Sequence, residues 1–288
     1  MVAEELTAQA APSHESPQPT RVIKPVRGWS GVDWSVLWRY KDLIRFLTWR
    51  DIQLRYRQTV LGIAWALIQP IGTMTVFTVF FGRFGKMPSE GVPYPVFALA
   101  GLLPWQLFAY ALSESSNSLL GNQNLLTKVY FPRLVIPMAS VLSGLVDFAV
   151  ALVLLLAMMA WYHLVPTIAV LVLPLLVLLA ITTALGVGLW LSALNVQYRD
   201  VRYTTPFLTQ FWFFSTPIAY PSSLVPEKYR LLLGLNPMAG VVEGFRWALL
   251  GVGHLPPMTA LSAAVSVLLL YSGMIYFTRM ERTFADIV

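Results

Sequence analysis

The ionisable side chains inside long apolar stretches are the first candidates for chemistry in this sequence. Asp147 lies in one such stretch, and Glu243 and Arg246 lie three residues apart in another. Side chains three apart on a helix share a face, so Glu243 and Arg246 can form an ion pair. An acid in an apolar span can relay protons or bind ions, but it can also form hydrogen bonds between helices. For Asp147 both roles stay open, and a hydrogen-bonded cluster would contain Ser140, Ser143 and either Thr182 or Thr183.

The sequence has none of the motifs that usually carry catalysis or metal binding. It contains no Gly-x-x-x-x-Gly-Lys-Ser/Thr phosphate loop, no His-Glu-x-x-His pair and no recognisable Ser-His-Asp pattern. Cys is absent, and the three His residues are far apart. We therefore expect no catalytic residue, no metal site and no cofactor in this chain. Energy from ATP would have to come from another protein.

The composition places the chain in a lipid bilayer. Of its 288 residues, 57% are hydrophobic and only 12% are charged, whereas soluble domains carry about a quarter charged residues. The formal net charge of +6 could suit nucleic acid, but basic residues also collect on the cytoplasmic side of membrane proteins. We therefore expect contacts with membrane lipids and none with nucleic acid.

Six apolar stretches have about the 20 residues that a membrane-spanning helix needs. They cover about residues 60–82, 94–118, 134–162, 165–194, 201–220 and 258–279. The predicted fold is therefore an all-α integral membrane protein with six transmembrane helices. With six spans both termini lie on one side, together with fifteen of the 20 Lys and Arg residues. This excess of positive charge predicts that both termini are cytoplasmic.

Two segments precede the first span. Residues 1–34 are rich in Ala, Pro, Ser and Gln and lack the apolar core of a signal peptide, which predicts a disordered cytoplasmic tail. Residues 35–58 have the periodicity of an amphipathic helix. Its apolar face carries Val36, Tyr40, Leu43, Ile44 and Leu47, and an aromatic line on the opposite side consists of Trp38, Trp49 and Tyr56. We expect this helix to lie in the membrane interface, with lipid on one side and protein on the other.

The segment before the last span predicts a re-entrant helical hairpin. Residues 226–234 and 237–250 have the pattern of two short helices, and Pro226 and Pro237 suit their first turns. The second helix would be about 21 Å long, which is too short to cross a bilayer. Backbone that enters a membrane without crossing it must lie against protein or a water-filled cavity. We therefore expect the hairpin to line or plug a pathway.

Aromatic residues are concentrated in the predicted fifth span, which contains "FLTQFWFFSTPIAY". Phe207, Phe211 and Phe214 fall on one helical face. Single aromatic residues in membrane proteins usually serve packing or the interfacial belts, but this group is denser than a belt requires. Flat apolar rings with few charges suit the C–H faces of sugar rings and do not suit inorganic ions.

Six stretches, taken in order, resemble the membrane subunit of ABC-2-type polysaccharide exporters, a family that transports O-antigen, capsule and teichoic acid. They are "RYRQTVLGIAWALIQP" (55–70), "GLLPWQLFA" (101–109), "NLLTKVYFPR" (124–133), "LNVQYRDVR" (194–202), "FWFFSTPIAY" (211–220) and "LNPMAGVVEGFR" (235–246). Together they cover about residues 35–280 with the same number of spans. The resemblance implies one ABC-2 transmembrane domain over residues 59–282.

The resemblance implies an assembly and a substrate. Two such chains would form a homodimer that binds two separate ATP-binding subunits, which would hold the ATP and Mg. The substrate would be a polysaccharide linked to undecaprenyl diphosphate, moved from cytoplasm to periplasm across the bacterial inner membrane. The chain itself would be a transport subunit and not an enzyme.

The resemblance also implies roles for named residues. Residues 121–131 would form a coupling helix that enters a groove of the ATP-binding subunit, and the coupling contacts would come from Asn124, Leu125, Leu126, Lys128, Val129, Tyr130 and Arg133. The interface helix would contribute Arg45, Trp49, Arg55 and Tyr56. The channel would be lined by Trp65, Phe77, Phe207, Phe211, Phe214 and Tyr220. The periplasmic gate would contain Pro226, Tyr229, Pro237, Glu243 and Arg246.

Three other functions stay open from the sequence. A permease of the same family could transport capsule, teichoic acid, a lipid or a drug. A proton-coupled secondary transporter would centre on Asp147, although such carriers commonly show paired halves and no internal repeat is evident. A membrane-embedded glycosyltransferase or lipid phosphatase would need a polar cluster such as Arg199, Asp200 and Arg202, which is interpreted more simply as charge on the cytoplasmic side.

Overall fold

The computed structural model describes residues 34–57, 62–129, 131–198, 200–252, 257–281 and residue 284. These residues form helices and the turns between them, and no β-strand occurs among them. The predicted all-α fold is confirmed. Apart from Trp34, the predicted tail at residues 1–34 lies outside the described residues, and so does Tyr130 of the predicted coupling helix.

The described residues form twelve α-helices. They are α1 (Trp34–Arg39), α2 (Lys41–Tyr56), α3 (Trp65–Phe77), α4 (Tyr94–Gly121), α5 (Gln123–Lys128), α6 (Val135–Ser143), α7 (Leu145–Trp161), α8 (Leu173–Gln197), α9 (Val201–Ser215), α10 (Glu227–Leu233), α11 (Pro237–Leu250) and α12 (Met258–Met280). A 3₁₀ turn, Gly62–Ala64, precedes α3, and a π-helical segment, Thr78–Phe84, follows it. Another 3₁₀ segment, Ile168–Val172, leads into α8.

Among the described residues, five helical segments are long and apolar enough to cross a membrane. They are Gly62–Phe84, Tyr94–Gly121, Val135–Trp161, Ile168–Gln197 and Met258–Met280, and they correspond to all the predicted spans except the fifth. The predicted fifth span forms the 15-residue helix α9, which is about 22 Å long and shorter than the roughly 30 Å core of a bilayer. Residues 216–220 are not helical, so a sixth crossing stays a prediction.

Helix α4 lies at the centre of the fold. It contacts α3, α6, α7, α8, α9 and α11, and most of its side chains are buried. Gly101 allows Arg246 of α11 to approach α4, because a Cβ atom at Gly101 would lie 2.7 Å from the Arg246 guanidinium. The close approach at this glycine therefore brings a buried arginine against the central helix.

Helices α8 and α12 pack with their backbones in contact. Gly186 and Gly273 face each other, and a Cβ atom on Gly273 would collide with the Gly186 carbonyl group. Trp190 stacks on Tyr276 with 4.1 Å between the ring centroids. Because of this close packing, the last helix is fixed to the core of the bundle.

Besides the hydrophobic core around α4, a second hydrophobic cluster lies at the end of the bundle that carries α1 and α2. Its buried members come from several parts of the chain and include Leu37, Leu47, Leu119, Phe131, Val135, Val196, Phe277 and Phe284. The apolar face predicted for residues 35–58 is confirmed at Tyr40, Leu43, Ile44 and Leu47, which pack here, and Leu47 is 2% exposed. The side chain of Val36 lies outside the described part of the structure. The single helix expected over 35–58 is interrupted at Tyr40, where α1 ends and α2 begins.

The opposite face of α1 and α2 is exposed. Trp38 and Trp49 are 74% and 60% exposed, as expected for an aromatic line that faces away from the apolar stripe. Tyr56 departs from that line, because its hydroxyl group bonds to α7. Contact of the exposed face with lipid stays a prediction.

The two short helices predicted before the last span are confirmed as α10 and α11. Pro226 directly precedes α10, and Pro237 is the first residue of α11. The Asn236 side chain caps α11 by accepting a 3.0 Å hydrogen bond from the backbone N–H of Met238. Insertion of this pair into a membrane as a re-entrant hairpin stays a prediction.

Candidate functional site

Residues 122–134, which we name the connecting segment, join α4 to α6 and contain the short helix α5. Asn124, Lys128 and Val129 are exposed on its outer side. Leu125 and Leu126 are half-buried against the second hydrophobic cluster. Of the residues predicted to contact an ATP-binding subunit, three therefore present an open surface, while the two leucines also pack against their own chain.

Arg50 of α2 is bonded to the start of the connecting segment. Its Nη2 atom donates to Oδ1 of Asn122 at 2.8 Å and forms an ion pair with Asp51 at 2.8 Å. Asn122 in turn donates through Nδ2 to the carbonyl oxygen of Ser118 at 2.9 Å. The turn at Asn122 therefore joins α2 to the end of α4.

Glu281 is bonded to the other end of the connecting segment. Its Oε1 atom accepts a 3.0 Å hydrogen bond from the backbone N–H of Arg133, and its backbone carbonyl accepts a 2.6 Å bond from the Arg133 guanidinium. The guanidinium also lies 5.7 Å from the ring centroid of the buried Phe284. Burial raises the pKa of the Glu281 carboxyl, and the hydrogen bond and charge of Arg133 partly offset this rise. Arg133 thus has a bonding role within its own chain that the sequence prediction did not include.

The last turn of α2 is bonded to the first turn of α7. Arg55 donates through Nη1 to Oδ2 of Asp147, and the Tyr56 hydroxyl donates to Oδ1 of the same carboxylate. The Arg55 guanidinium lies over the Tyr110 ring, 3.9 Å from its centroid. We name Arg55, Tyr56 and Asp147 the clasp. It joins the helix before the first span to the middle of the third.

Asp147 does form hydrogen bonds between helices, which is one of its two predicted roles, but its partners are those of the clasp. The Ser and Thr residues proposed as its partners were wrong. Ser143 bonds instead to the Tyr110 hydroxyl at 2.8 Å. Thr183 bonds to Ser266 of α12 at 2.8 Å. The physical reason is that Asp147 faces α2, where a guanidinium and a phenol 92 and 91 positions earlier satisfy its two oxygens.

Arg45 and Trp49, the other residues predicted for the interface helix, lie on its exposed side. Arg45 is 3.8 Å from Asp42, and both side chains are about four-fifths exposed, at 79% and 80%. A pair this exposed contributes about 0–1 kcal/mol. The structure therefore divides the four predicted residues into two that form the clasp and two that face outward.

A cavity of about 570 Å³ lies beside the clasp, between α3, α4 and α7. Its wall includes Trp65 and Gln69 of α3 and Trp105 and Gln106 of α4. A second cavity of about 350 Å³ lies between α4 and α9. Trp105 and Phe213 line both cavities, so the two spaces adjoin at these rings.

Most of the aromatic residues predicted to line a channel are exposed. On α9, Phe207, Phe211 and Phe214 are 72%, 65% and 69% exposed. Trp65 at the start of α3 is 54% exposed. The structure therefore brings a row of uncovered rings to one face of α9, as the periodicity predicts.

Phe77 and Tyr220 differ from that group. Phe77 is 7% exposed, and its ring packs against those of Phe81 and Phe213, at centroid distances of 5.1 and 5.8 Å. It lies on the side of α3 that faces the core, so in this conformation Phe77 does not line an open surface. Tyr220 is half-buried, and its backbone carbonyl accepts a hydrogen bond from Arg246.

Arg246 of α11 lies in the core and is 1% exposed. Its guanidinium donates to the carbonyl oxygens of Pro217 at 2.7 Å, Ile218 at 2.5 Å and Tyr220 at 3.2 Å. It also forms an ion pair with Glu243 at 2.9 Å, so the predicted pair is confirmed. Residues 216–220 are not helical, and buried carbonyl groups need donors. Arg246 supplies those donors and fixes the segment that follows α9.

The residues predicted for a gate do not form one cluster. Glu243 and Arg246 belong to the core group, and Pro237 is buried at the start of α11. Pro226 is exposed, and Tyr229 is 49% exposed with Lys228 4.8 Å from its ring centroid. The predicted gate residues therefore fall into a buried group in α11 and two exposed residues at α10.

Comparison with known proteins identifies the family. The sequence model of the ABC-2 type transporter family matches residues 42–250. The chain belongs to the ABC-2 transporter family. The matched range runs from the start of α2 to the end of α11, so it contains the clasp, the connecting segment and Arg246.

Relatives of this ABC-2 family member match nearly its whole length. The O-antigen export system permease protein RfbA of Myxococcus xanthus is 33% identical, over 87% of this chain and 96% of its own. A protein of the same name from Klebsiella pneumoniae is 26% identical, over 86% and 95%. The polysialic acid transport protein KpsM of Escherichia coli is 26% identical, over 84% and 95%. With the five spans, these matches make the chain a multi-pass membrane permease.

Sequence reasoning missed three bonding residues of this ABC-2 permease, namely Arg50, Asn122 and Glu281. Their partners lie 72 or 148 positions away along the chain, and polar residues at the ends of spans are ordinary in membrane proteins. Glu281 did carry a local signal, because it is an acid flanked by Arg279 and Arg282 at the end of the last span.

Proposed function

We propose that this chain is the transmembrane permease subunit of an ATP-driven exporter that moves a polysaccharide linked to undecaprenyl diphosphate from cytoplasm to periplasm. The observation that carries the proposal is similarity over at least 84% of the chain to proteins named for O-antigen export and polysialic acid transport. Similarity over this length supports a whole subunit with the same task, and not a shared fragment.

We propose that two copies form the transporter and that each binds one ATP-binding subunit at its connecting segment. Asn124, Lys128 and Val129 offer an outward surface on this segment. Both of its ends are bonded to other helices, through Arg50 at one end and Glu281 at the other. A segment anchored at both ends passes a push to the helices behind it, whereas a free loop would yield. Closure of the ATP-binding subunits would therefore move α2 and α12.

The transport path would lie between the two copies, along α3 and α9. The exposed rings of α9 and Trp65 support this placement, because sugar rings present C–H faces that pack on aromatic surfaces. Movement of the clasp would connect the path to the ATP-binding subunits, since Arg55 and Tyr56 follow α2 while Asp147 belongs to a span.

We place the connecting segment and both termini on the cytoplasmic side of the bacterial inner membrane. Arg50, Lys128 and Arg133 lie at this end of the bundle. An excess of Lys and Arg is typical of the cytoplasmic side.

Co-purification followed by ATPase measurement tests the proposal. The full chain is co-expressed with candidate ATP-binding subunits from the same organism and reconstituted in lipid nanodiscs. We expect a stable complex whose ATPase activity rises when a lipid-linked polysaccharide is added. Absence of an ATP-binding partner, or transport driven by a proton gradient without ATP, would overturn the proposal. Stimulation by drugs or simple lipids alone would keep the ATP-driven mechanism and overturn the substrate.

A further inference from the structure

The cavity between α3, α4 and α7 contains polar groups that the protein leaves without partners. Gln69 and Gln106 both line this cavity, and so does Trp105. Among the residues that the structure describes, the two amide groups and the indole N–H of Trp105 form no hydrogen bond. An amide has two donors and an acceptor with two lone pairs. The two glutamine side chains and the indole N–H can therefore form several hydrogen bonds with a ligand or with water in this cavity.

These groups lie at the depth of the membrane. Gln106 is in the middle of the 28-residue helix α4, about 18 Å from one end and about 22 Å from the other at 1.5 Å per residue. Gln69 lies about 10 Å from the start of the span Gly62–Phe84. Polar groups without partners are strongly unfavourable in hydrocarbon, so at this depth they must face water or a polar ligand.

The rest of the wall restricts the kind of ligand. Trp65 lies four residues before Gln69, so its ring and that amide share one helical face. The charged residues of the wall, Arg55 and Asp147, neutralise each other in the clasp, so no isolated charge is offered to an ion. The volume of about 570 Å³ falls within the range of small-molecule sites. Aromatic rings beside neutral amides suit a ligand with apolar faces and hydroxyl edges.

We propose that this cavity is a saccharide-binding subsite within a single chain. One sugar ring of the exported glycan packs against Trp65, and its hydroxyl groups bond to Gln69, Gln106 and the indole N–H of Trp105. The inference rests on the proposed export of a glycan. The subsite is a second contact for the glycan, distinct from the exposed aromatic face of α9, and it lies in contact with the clasp.

Replacement of the two amides by leucine tests the subsite. Gln69→Leu and Gln106→Leu are made singly and together in the complete transporter, reconstituted with its ATP-binding subunit in nanodiscs. Leucine has a similar size and needs no hydrogen-bond partner, so the melting temperature should stay unchanged or rise. Thr75→Val is the matched control on the same helix, because its hydroxyl donates to the Ile71 carbonyl at 2.7 Å and lies outside the cavity wall.

Two lipids serve as probes, undecaprenyl diphosphate carrying one N-acetylhexosamine and undecaprenyl diphosphate alone. We expect the wild-type transporter and Thr75→Val to bind the sugar-bearing lipid about tenfold more tightly, since a few hydrogen bonds provide a difference of this order. The double variant should lose this preference while its affinity for the bare lipid stays the same.

Three results would overturn the subsite. The first is an unchanged preference for the sugar-bearing lipid in the double variant. The second is an equal loss of affinity for both lipids, which would assign the cavity to the lipid head group. The third is a lower melting temperature of the double variant, which would assign the two amides to folding. A wild type that does not distinguish the lipids would overturn it as well. If the wild-type complex still hydrolyses ATP in response to lipid-linked polysaccharide in these cases, the proposed function survives and the subsite alone fails.

Discussion

The two ends of the bundle are both stabilised by arginine residues, but these differ in burial. Arg246 is 1% exposed and bonds to three backbone carbonyls and to Glu243. Toward the other end, the side chains of Arg50, at the connecting segment, and of Arg55, in the clasp, are 32% and 29% exposed. Breaking a buried pair on one side leaves an uncompensated charge and costs several kcal/mol, whereas exposed pairs contribute about 0–1 kcal/mol. The end at Arg246 is therefore a fixed frame, and the end at the connecting segment can exchange partners.

This difference fits an exporter driven from one side. The connecting segment is anchored firmly enough to pass the push on, but its part-exposed bonds are easier to break and re-form during each cycle than those of Arg246. The opposite end needs a constant geometry, so that α9 and the segment after it keep their place while the other end moves. The following substitutions test this division, in order of decreasing effect.

Replacement of Arg246 should have the largest effect. Arg246→Leu leaves Glu243 and the carbonyl groups of residues 217, 218 and 220 without their donor, and we expect the folded state to lose about 3–5 kcal/mol. The measurement is thermal unfolding of the detergent-solubilised protein. Lys228→Ala, which removes an exposed cation nearby, is the control and should not change the melting temperature. An Arg246→Leu protein as stable as wild type would show that this end is not a fixed frame.

Loss of the clasp should have an intermediate effect on stability and a clear effect on coupling. Asp147→Ala removes the acceptor of Arg55 and Tyr56, and because the pair is about two-thirds buried we expect a loss of about 1–3 kcal/mol of stability. Coupling of ATP hydrolysis to transport should fall severalfold. Asp42→Ala is the matched control, since it removes an Asp–Arg pair that is about four-fifths exposed. Equal effects of the two variants on transport would contradict a role for the clasp.

The bond between Glu281 and Arg133 should contribute less. Glu281→Ala removes the acceptor for the Arg133 backbone N–H, a loss of roughly 1 kcal/mol, and we expect a three- to fivefold fall in glycan-stimulated ATPase activity. Glu281→Gln keeps an acceptor oxygen and should stay near wild type. Arg279→Ala removes an exposed charge two residues earlier and should have no effect. If Gln were as harmful as Ala, the negative charge and not the hydrogen bond would be the important property.

The exposed surface of the connecting segment should show the smallest differences. Val129→Ala removes apolar surface worth about 1 kcal/mol if it is buried on docking, whereas Lys128→Ala removes at most an exposed ion pair. We therefore expect Val129→Ala to weaken association of the ATP-binding subunit more, by up to about fivefold. From the sequence we expect the same for Tyr130→Ala. Binding titration of the purified subunits gives the order, and a larger effect of Lys128→Ala would reverse this view of docking.

Features that depend on neighbouring residues were predictable from the sequence, and features that depend on distant partners were not. The pair of Glu243 and Arg246 follows from a spacing of three, and the start of α11 follows from Pro237. The early end of α9 was missed because apolar residues continue at 217–220 after the short polar pair Ser215 and Thr216. Pro217 nevertheless forces Thr216 into an extended conformation, with φ −101° and ψ 136°. The clasp required knowledge that α2 packs along α6 and so brings its last turn to α7, which no periodicity along the chain contains.

The π-helical segment Thr78–Phe84 has a consequence for the evolution of this chain. In a regular α-helix Phe77, Phe81 and Phe84 would share one face, yet Phe77 is buried and Phe84 is 75% exposed. The wider turn shifts the helical register, as one surplus residue would. In a homologue that lacks one residue here, the segment would form a regular α-helix, and the ring at the position of Phe84 would face the protein. Gaps in alignments of the first span should therefore concentrate in these seven positions.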